Sequence, residues 1–261
     1  MKRLGITILI SCFFSGLFAM EIWISPDGSD RNKGSVEYPL QTLQEALQRA
    51  REMRRVEMPG IEDGINIILK EGTYYVYEPI RLRPEDSGTA ESPTTISADE
   101  GAKVTISGGM LVGGWKQSGQ YWVADVPDYN GRPLDFRQLW VNGRKAIRAR
   151  DVADFENMSR IRQNDVENQI LWVPAKAVEA VLDAPYAEMV LHQMWCISNL
   201  RIKSIEVSGD SAAVRFHHPE SRLQFVRPWP SPMTTSGSES AFYLTNAMAL
   251  LDEPGAWFHD F

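Results

Sequence analysis

The stretch that decides the fold begins EIWISPDGSD at residues 21–30, continues PLQTLQEAL at residues 39–47 and reaches KEGTYY at residues 70–75. It holds an apolar run, a Gly-containing turn and one amphipathic helical pattern, and short apolar runs separated by turns follow it. This is the order in which a right-handed parallel β-helix begins. We therefore predict an all-β chain that starts such a β-helix.

The helical pattern has the features of an N-terminal capping helix. Thr42 and Glu45 have the spacing of a capping box. Five apolar residues then share one face at helical period: Leu43, Ala46, Leu47, Ala50 and Met53. Because the terminal repeat of a solenoid needs a polar outer surface, the pattern predicts a cap helix from Leu43 to Arg54.

Short β-type runs follow the helix, each closed by turn residues: Ile65–Leu69, Ile80–Leu82, Thr94–Ala98 and Val104–Ser107. The coils of a parallel β-helix need no exact repeat, because each strand requires only inward apolar residues and a turn. An ordinary antiparallel sandwich remains the alternative to the solenoid at this point. We expect residues 20–114 to form the cap and the first coils.

A change of pattern after residue 114 indicates an inserted, mainly antiparallel β module over residues 115–225. Asn142-Gly143 is the dipeptide that favours a type I′ hairpin turn between two apolar runs. The other elements expected here are a strand over 121–126, a short helical piece near Ala175–Leu182, and a last hairpin from Arg201 to His217 that turns at 208–211.

Residues 226–261 are expected to form a connector and a helix that leads back to the β-helix. Pro228, Pro230 and Pro232 remove backbone donors, so this segment cannot be a central strand. The run Phe242–Leu251 is predicted to be helical and to end before Pro254-Gly255.

The first 19 residues have the order of a secretory signal peptide. Lys2 and Arg3 precede an apolar run from Leu4 to Phe18 that ends in Ala19. The run is shorter than the roughly 20 apolar residues that a membrane span needs. We expect cleavage after Ala19 and export to the periplasm or the exterior; lipidation at Cys12 is the alternative.

The net charge and the cysteine content exclude some classes of partner and an intramolecular disulfide. The formal net charge is −7, and loss of Lys2 and Arg3 with the leader makes it −9. Nucleic acid and anionic membranes are therefore not expected partners. Cys12 and Cys196 are the two cysteines, so the mature chain has no intramolecular disulfide, and Cys196 is expected to be a buried, inert thiol.

Two further segments carry a family resemblance: RPEDSGTAESP at residues 83–93, and AFYL at 241–244 running to LDEPGAWF at 251–258. With the opening stretch they resemble the N-terminal part of secreted bacterial β-helix proteins that act on polysaccharides, and within that group glycoside hydrolase family 141. The resemblance implies hydrolysis of a fucoside- or xylan-type glycan, with a polysaccharide or oligosaccharide as partner. It also implies catalytic acids on later coils, beyond Phe261, so the chain is expected to be an N-terminal portion without them.

Glycoside cleavage commonly needs two carboxyl groups, and the sequence offers no clear pair. No catalytic residue is therefore assigned; the acids to consider if the chain is active are Asp86, Asp125, Asp151 and Glu220. Asp86 is expected to close a turn, and Asp27 with Asp30 does not fit a calcium loop.

No metal site and no cofactor are expected from the motifs. His217 and His218 are neighbours that would point to opposite faces of a strand, and a phosphate loop is absent. Among eight tryptophans, four lie in apolar strand contexts and are expected in the core: Trp23, Trp122, Trp140 and Trp172. Trp229, held between prolines, is the candidate sugar platform.

Two other function classes stay open. One is a non-catalytic glycan-binding or adhesin-like surface protein, and the other is a polysaccharide lyase. All three classes occur on β-helices, so the fold alone does not decide between them.

Overall fold

The computed structural model describes residues 19–226, 231–234, 237 and 239–261. The predicted leader, apart from Ala19, lies outside the described residues, as do Cys12 and Trp229. The chain divides into two compact units, Met1–Pro127 and Asp128–Phe261, and each is described separately. Most of its regular structure is strand, so the predicted all-β class is confirmed.

The first unit contains seven strands and one helix: β1 Met20–Ile24, α1 Leu43–Arg55, β2 Ile65–Leu69, β3 Gly72–Tyr75, β4 Thr94–Ala98, β5 Val104–Ser107, β6 Lys116–Ser118 and β7 Tyr121–Val123. Parallel pairing joins β1, β2 and β4 into one sheet and β3 with β5 into another. The strands are in register, so Ile22 lies beside Ile67 and Ile24 lies beside Leu69. These buried residues alternate with mostly half-buried ones and pack against the buried face of α1.

Hydrogen bonds at the N-terminus of α1 cap the helix and tie Asp30 to residues 41 and 42. Thr42 caps the helix, because its side chain accepts from the Glu45 amide at 3.1 Å. The reciprocal bond comes from Asp30, whose carboxylate accepts from the Thr42 and Gln41 amides at 2.9 Å. The predicted helix is confirmed, and Asp30 completes its cap.

The second unit contains thirteen strands and one short helix: β8 Asp128–Tyr129, β9 Arg132–Pro133, β10 Trp140–Val141, β11 Arg144–Lys145, β12 Ile147–Arg148, β13 Ser159–Arg160, β14 Gln163–Asp165, β15 Ile170–Pro174, β16 Glu188–His192, β17 Ile197–Ser208, β18 Ser211–Phe216, α2 Glu220–Val226, β19 Ala241–Thr245 and β20 Ala256–Trp257. Seven of the strands form one sheet in the order β13-β19-β16-β17-β18-β15-β14. Every pairing within that sheet is antiparallel. One of its strands, β19, lies outside residues 115–225, where the antiparallel module was expected.

The predicted helix over Phe242–Leu251 is wrong. Ala241–Thr245 is strand β19, which lies between β13 and β16 inside the sheet, and only Met248–Leu250 makes a 3₁₀ turn. Four of the five β19 residues are buried. Residues 241–244 are four consecutive hydrophobic residues, which show neither helical nor strand periodicity in the sequence, so the pairing partners of this run decide its conformation.

Three smaller expectations about the strands are also wrong. Ile80–Leu82 forms no strand, and the strand predicted over 121–126 ends at Val123. Trp122 and Trp140, expected in the core, are 66% and 60% exposed. Each lies in a two-stranded ribbon, and in such a ribbon no second layer covers the side chain. Trp23 and Trp172 are half-buried.

Both predicted hairpins are confirmed. Asn142 and Gly143 have φ of 50° and 74°, the left-handed values that a type I′ turn requires, and they connect β10 to β11. The hairpin of β17 and β18 turns at residues 209–210. The helical piece near Ala175–Leu182 is a 3₁₀ helix over Ala175–Val181. Within the described part of the chain, no helix has the length and apolar character to cross a membrane.

We predict that Gly28→Ala strongly destabilises the first unit. A Cβ at Gly28 would lie 2.2 Å from the Leu40 carbonyl oxygen, a backbone atom that cannot swing aside. Overpacking of this kind costs about 1–3 kcal/mol, which urea unfolding would measure. Gly108→Ala is the matched control: a Cβ there meets no atom within 4 Å, and we expect a change below about 0.5 kcal/mol. Equal changes in the two variants would contradict the close approach.

Candidate functional site

One face of the seven-stranded sheet is polar and carries several titratable residues of the second unit. Met189 and Leu191 of β16 point into the core, so Glu188 and His192 point to the opposite side. Directly paired residues share a face, which places Arg201 of β17 beside Glu188 and places Tyr243 of β19 on the same side. We call this side the polar face; it carries Glu188, His192, Arg201, Tyr243 and Thr245.

Glu188 is the electrostatic centre of the polar face. The residue is fully buried, and its carboxylate accepts from two guanidinium groups. Arg148 donates through Nη1 at 2.8 Å and through Nη2 at 3.2 Å, while Arg137 donates through Nε at 3.1 Å and Nη2 at 3.3 Å. Two forked arrangements on one buried carboxylate hold both arginines in fixed positions.

Asn246 connects this ion cluster to the C-terminal segment. Its Oδ1 accepts from Arg148 Nε at 3.2 Å and from the His259 amide at 2.8 Å. Its Nδ2 donates to the carbonyl oxygens of Tyr186 and His259, both at 3.0 Å. Asn246 has a φ of 61°, a conformation that asparagine tolerates better than most residues. All of its amide hydrogen-bonding capacity is thus used to fix the chain.

An aromatic cluster covers the same end of the polar face. Phe136 stacks on Trp257 at 5.1 Å and on His259 at 4.9 Å, and His259 contacts Phe261 at 4.0 Å between ring centroids. His259 Nδ1 and Trp257 Nε1 are buried and have no hydrogen-bond partner among the described residues. Burial, aided by the Arg148 charge and opposed by Asp135, lowers the pKa of His259.

His192 lies at the other end of the polar face, where rings reach solvent. The Phe155 ring meets it edge-on at 5.6 Å, and the Tyr243 ring lies 6.1 Å away. Its Nε2 is buried and has no hydrogen-bond partner in the described part of the chain. Burial and the Arg160 charge lower the pKa of His192, and burial raises the pKa of Tyr243. Both side chains are therefore neutral near pH 7.

The four carboxylates considered as acids belong to different units: Asp86 and Asp125 to the first, and Asp151 and Glu220 to the second. Asp86 accepts from Arg51 through both oxygens, at 2.6 and 2.9 Å, and this hydrogen bonding lowers the pKa of Asp86. Burial is the largest single influence on the pKa of Glu220 and raises it. The hydrogen bonds from Arg201 and from the Glu220 amide, together with the Arg201 and Arg137 charges, lower the pKa overall. Both carboxylates are thus held ionised, and Asp86 lies in a 3₁₀ turn, as expected.

Asp151 differs from these two. Desolvation raises the pKa of Asp151, against the hydrogen bonds of the Leu244, Asp151 and Val152 amides. Its Oδ1 accepts from the Leu244 amide at 2.8 Å, so it binds the edge of β19. Asp125 is exposed in the first unit.

The remaining sequence candidates have structural roles or make no cluster. Cys196 is half-buried rather than buried, and its thiol donates to Gln193 Oε1 at 3.0 Å. His217 and His218 are exposed. In the parts of the chain that the structure describes, no three His, Cys, Asp or Glu side chains lie close enough to hold a metal ion.

Sequence reasoning missed the residues that organise the polar face, above all Glu188. A signal for it was present, since Glu188 interrupts the apolar run AEMVLH at residues 187–192. A charged residue inside a buried strand needs a partner of opposite charge. Which arginines provide it depends on pairings that the sequence does not reveal.

Comparisons with known proteins identify relatives of the chain. Residues 119–261 match the model of a family described as the GH141 insertion domain. A solved structure named glycoside hydrolase is 59% identical, with a TM-score of 0.85, over 93% of this chain and 42% of its own.

Two curated proteins match shorter parts. Pectate lyase PEL9 of Emericella nidulans (strain FGSC A4) is 34% identical over 105 residues, which are 40% of this chain and 22% of PEL9. The uncharacterized protein YwoF of Bacillus subtilis (strain 168) is 28% identical over 125 residues, 48% of this chain and 24% of YwoF. The chain thus spans less than a quarter of these relatives and 42% of the solved glycoside hydrolase.

We predict that Glu188→Gln destabilises the second unit by about 3 kcal/mol, because it leaves Arg148 and Arg137 without a countercharge at a buried position. The control is Glu206→Gln, which removes an exposed carboxylate 3.9 Å from Arg215 and should cost less than about 1 kcal/mol. Urea denaturation at neutral pH measures both. Similar losses in the two variants would show that the Glu188 cluster contributes no special stability.

We also predict that His259 makes the protein less stable in mild acid. Its pKa is lowered in the folded state, so the unfolded state binds the proton more tightly. The contribution of neutral His259 is fully present above the unfolded pKa of about 6.5 and is lost as the pH falls through the folded value. In His259→Phe, which keeps a ring beside Phe136, the free energy of unfolding should fall less between neutral pH and mild acid. The control is His217→Phe, which replaces an exposed histidine. If this variant changed the pH dependence of the free energy of unfolding as much as His259→Phe does, the effect could not be attributed to His259.

Proposed function

Because the chain belongs to the GH141 insertion domain family, we propose that it is part of an exported glycoside hydrolase acting on a fucoside- or xylan-type polysaccharide. The family relationship supports a carbohydrate-active function. The match over residues 119–261 carries the proposal, since it covers more than half of the chain. The glycan type in this proposal rests on the family resemblance, and export rests on the predicted leader.

The first unit supports a β-helix as the scaffold. Three in-register parallel strands, β1, β2 and β4, lie beside a second parallel pair, β3 and β5, and the turns between them contain no helical crossover after α1. Successive coils of a parallel β-helix pair in this way. In our proposal α1 caps this solenoid, and the antiparallel sheet of the second unit is the insertion. Lys2-Arg3, the apolar run and Ala19 support export.

We place the catalytic carboxyl pair outside the described residues. Hydrolysis commonly needs one protonated and one ionised carboxyl group facing each other across the bond. Asp86 and Glu220 are each bound to an arginine, and Asp151, whose pKa is raised, is shifted by burial and backbone amides, without a contribution from a second carboxylate. The part described here would then contact the glycan, while other coils cleave it.

A polysaccharide lyase is the second candidate, favoured by the similarity to pectate lyase PEL9. A lyase removes a proton beside the carboxylate of a uronic acid, and its product contains a carbon–carbon double bond. The two reactions therefore leave different products, and the product distinguishes them without knowledge of the site.

The test is to express the 261-residue chain with its leader in a bacterial host and to purify it from the exported fraction. We expect a mature N-terminus at Met20, binding to xylan or to a fucosylated glycan, and no release of reducing ends. Turnover by this chain would overturn our placement of the carboxyl pair, and an unsaturated, ultraviolet-absorbing product would establish the lyase. Failure to bind any polysaccharide would contradict glycan contact by this part. Sequencing the gene beyond codon 261 separates a hydrolase, with further coils, from a purely glycan-binding protein.

A further inference from the structure

The turn between β16 and β17 presents two large apolar side chains to solvent. Met194 and Trp195 are its central residues, and the Gln193 amide donates to the Cys196 carbonyl across it at 2.9 Å. Trp195 is 70% exposed. Tight turns usually carry Gly, Asn, Asp or Ser, because these residues suit the turn backbone and remain soluble. The requirements of the turn do not explain a Met-Trp pair at this position.

This turn is braced from inside. Gln193 is buried, and its Oε1 accepts from the Ser198 hydroxyl at 2.8 Å and from the Cys196 thiol at 3.0 Å. Both donors lie on the far side of the turn, so the amide ties its two arms together. A braced turn loses little conformational freedom when a ligand binds to its exposed residues.

Exposed rings and apolar groups continue from the turn onto the polar face. Ile197 is paired with His192 and points to the same side, where it is exposed. The Phe155 ring, also exposed, lies edge-on against His192. The Arg160 guanidinium is 4.8 Å from the Phe155 ring and donates to the Met158 and Phe155 carbonyls. The Arg160 guanidinium beside these rings is thus already hydrogen-bonded to the protein itself.

These features match a neutral sugar chain better than a charged ligand. An indole ring offers a flat apolar surface, which suits the C–H face of a pyranose ring. Pockets for such ligands combine apolar surface with a few placed polar groups. The Tyr243 ring carries a polar hydroxyl of this kind, on the same side of the sheet as His192.

We propose that Trp195, on the braced turn between β16 and β17, is a stacking platform for a neutral pyranose glycan, with His192 and Phe155 extending the contact along the polar face. The inference rests on the proposed function, because it names the surface through which this chain would hold its polysaccharide. It replaces Trp229, which lies outside the described residues, as the tryptophan to test first.

The experiment measures the affinity of the 261-residue chain for soluble xylan and for a fucosylated xyloglucan by calorimetry, with polygalacturonate as the acidic comparison. Trp195→Ala should weaken binding about tenfold, and Trp195→Phe, which keeps a smaller ring, should lose less. The matched control is Trp140→Ala, which removes an equally exposed tryptophan from the β10–β11 ribbon and should leave affinity unchanged. Thermal unfolding of each variant verifies that the exposed substitutions leave the fold intact.

The outcomes separate this inference from the proposed function. If the wild-type chain binds and Trp195→Ala binds equally well, the platform is wrong and glycan binding by the chain stands. An equal loss in Trp140→Ala would also overturn the platform, and preference for polygalacturonate would overturn the neutral ligand. If the wild-type chain binds none of the glycans, both proposals fail.

Discussion

A carboxylate without any exposure to water must be neutralised by the protein itself, and the second unit is organised around that requirement at Glu188. Glu188 lies on β16, which has a strand on each side, and its countercharges come from segments outside the sheet. Arg137 precedes β10, and Arg148 ends β12, which pairs in parallel with β20. One buried charge thereby fixes two upstream segments and, through Asn246, the last residues of the chain.

The same constraint sorts the two faces of the sheet. On one side Met189, Leu191, Phe242 and Leu244 build an apolar core, while Glu188 and its neighbours face the other side. The apolar face packs into the hydrophobic core of the unit, and the polar face carries the ion pairs of Glu188. Our proposed glycan contact therefore lies on the polar face, at the end where His192 adjoins the turn between β16 and β17.

Local signals predicted much of the fold. The capping residue Thr42 and the apolar stripe of α1 lie within a few residues of each other, and Asn142-Gly143 carries its turn preference in two residues. Strand β19 could not be recognised in that way, because its first four residues are consecutive hydrophobic residues without a clear period. It acquires its conformation from β13 and β16. The exposure of Trp122 and Trp140 was missed for a related reason: an apolar strand context predicts burial only if a second layer covers it.

The site was harder to predict than the fold. Carboxylates such as Asp86 stand out by composition, yet Arg51, 35 residues away in the sequence, engages Asp86. Glu188 had a local signal, the interruption of an apolar run, but its partners are 40 and 51 residues away. Trp195 lies in a stretch considered for its cysteine, and the hydrogen bonds of Gln193 that make its turn rigid appear only in three dimensions.

The position of β19 has a consequence for the order in which this unit is assembled during synthesis. The ribosome delivers residues 159–217 well before residues 241–245, so β16 pairs with β17 while its other edge still lacks a neighbour. That edge carries Val190 and Leu191, and an unpaired apolar edge can accept a strand from another molecule. Closing it requires β19 to return across a long loop, which is a slow, entropically costly step. Until β19 pairs with β16, this central edge of the sheet can accept a strand from another molecule, so intermolecular strand pairing competes with folding of the unit.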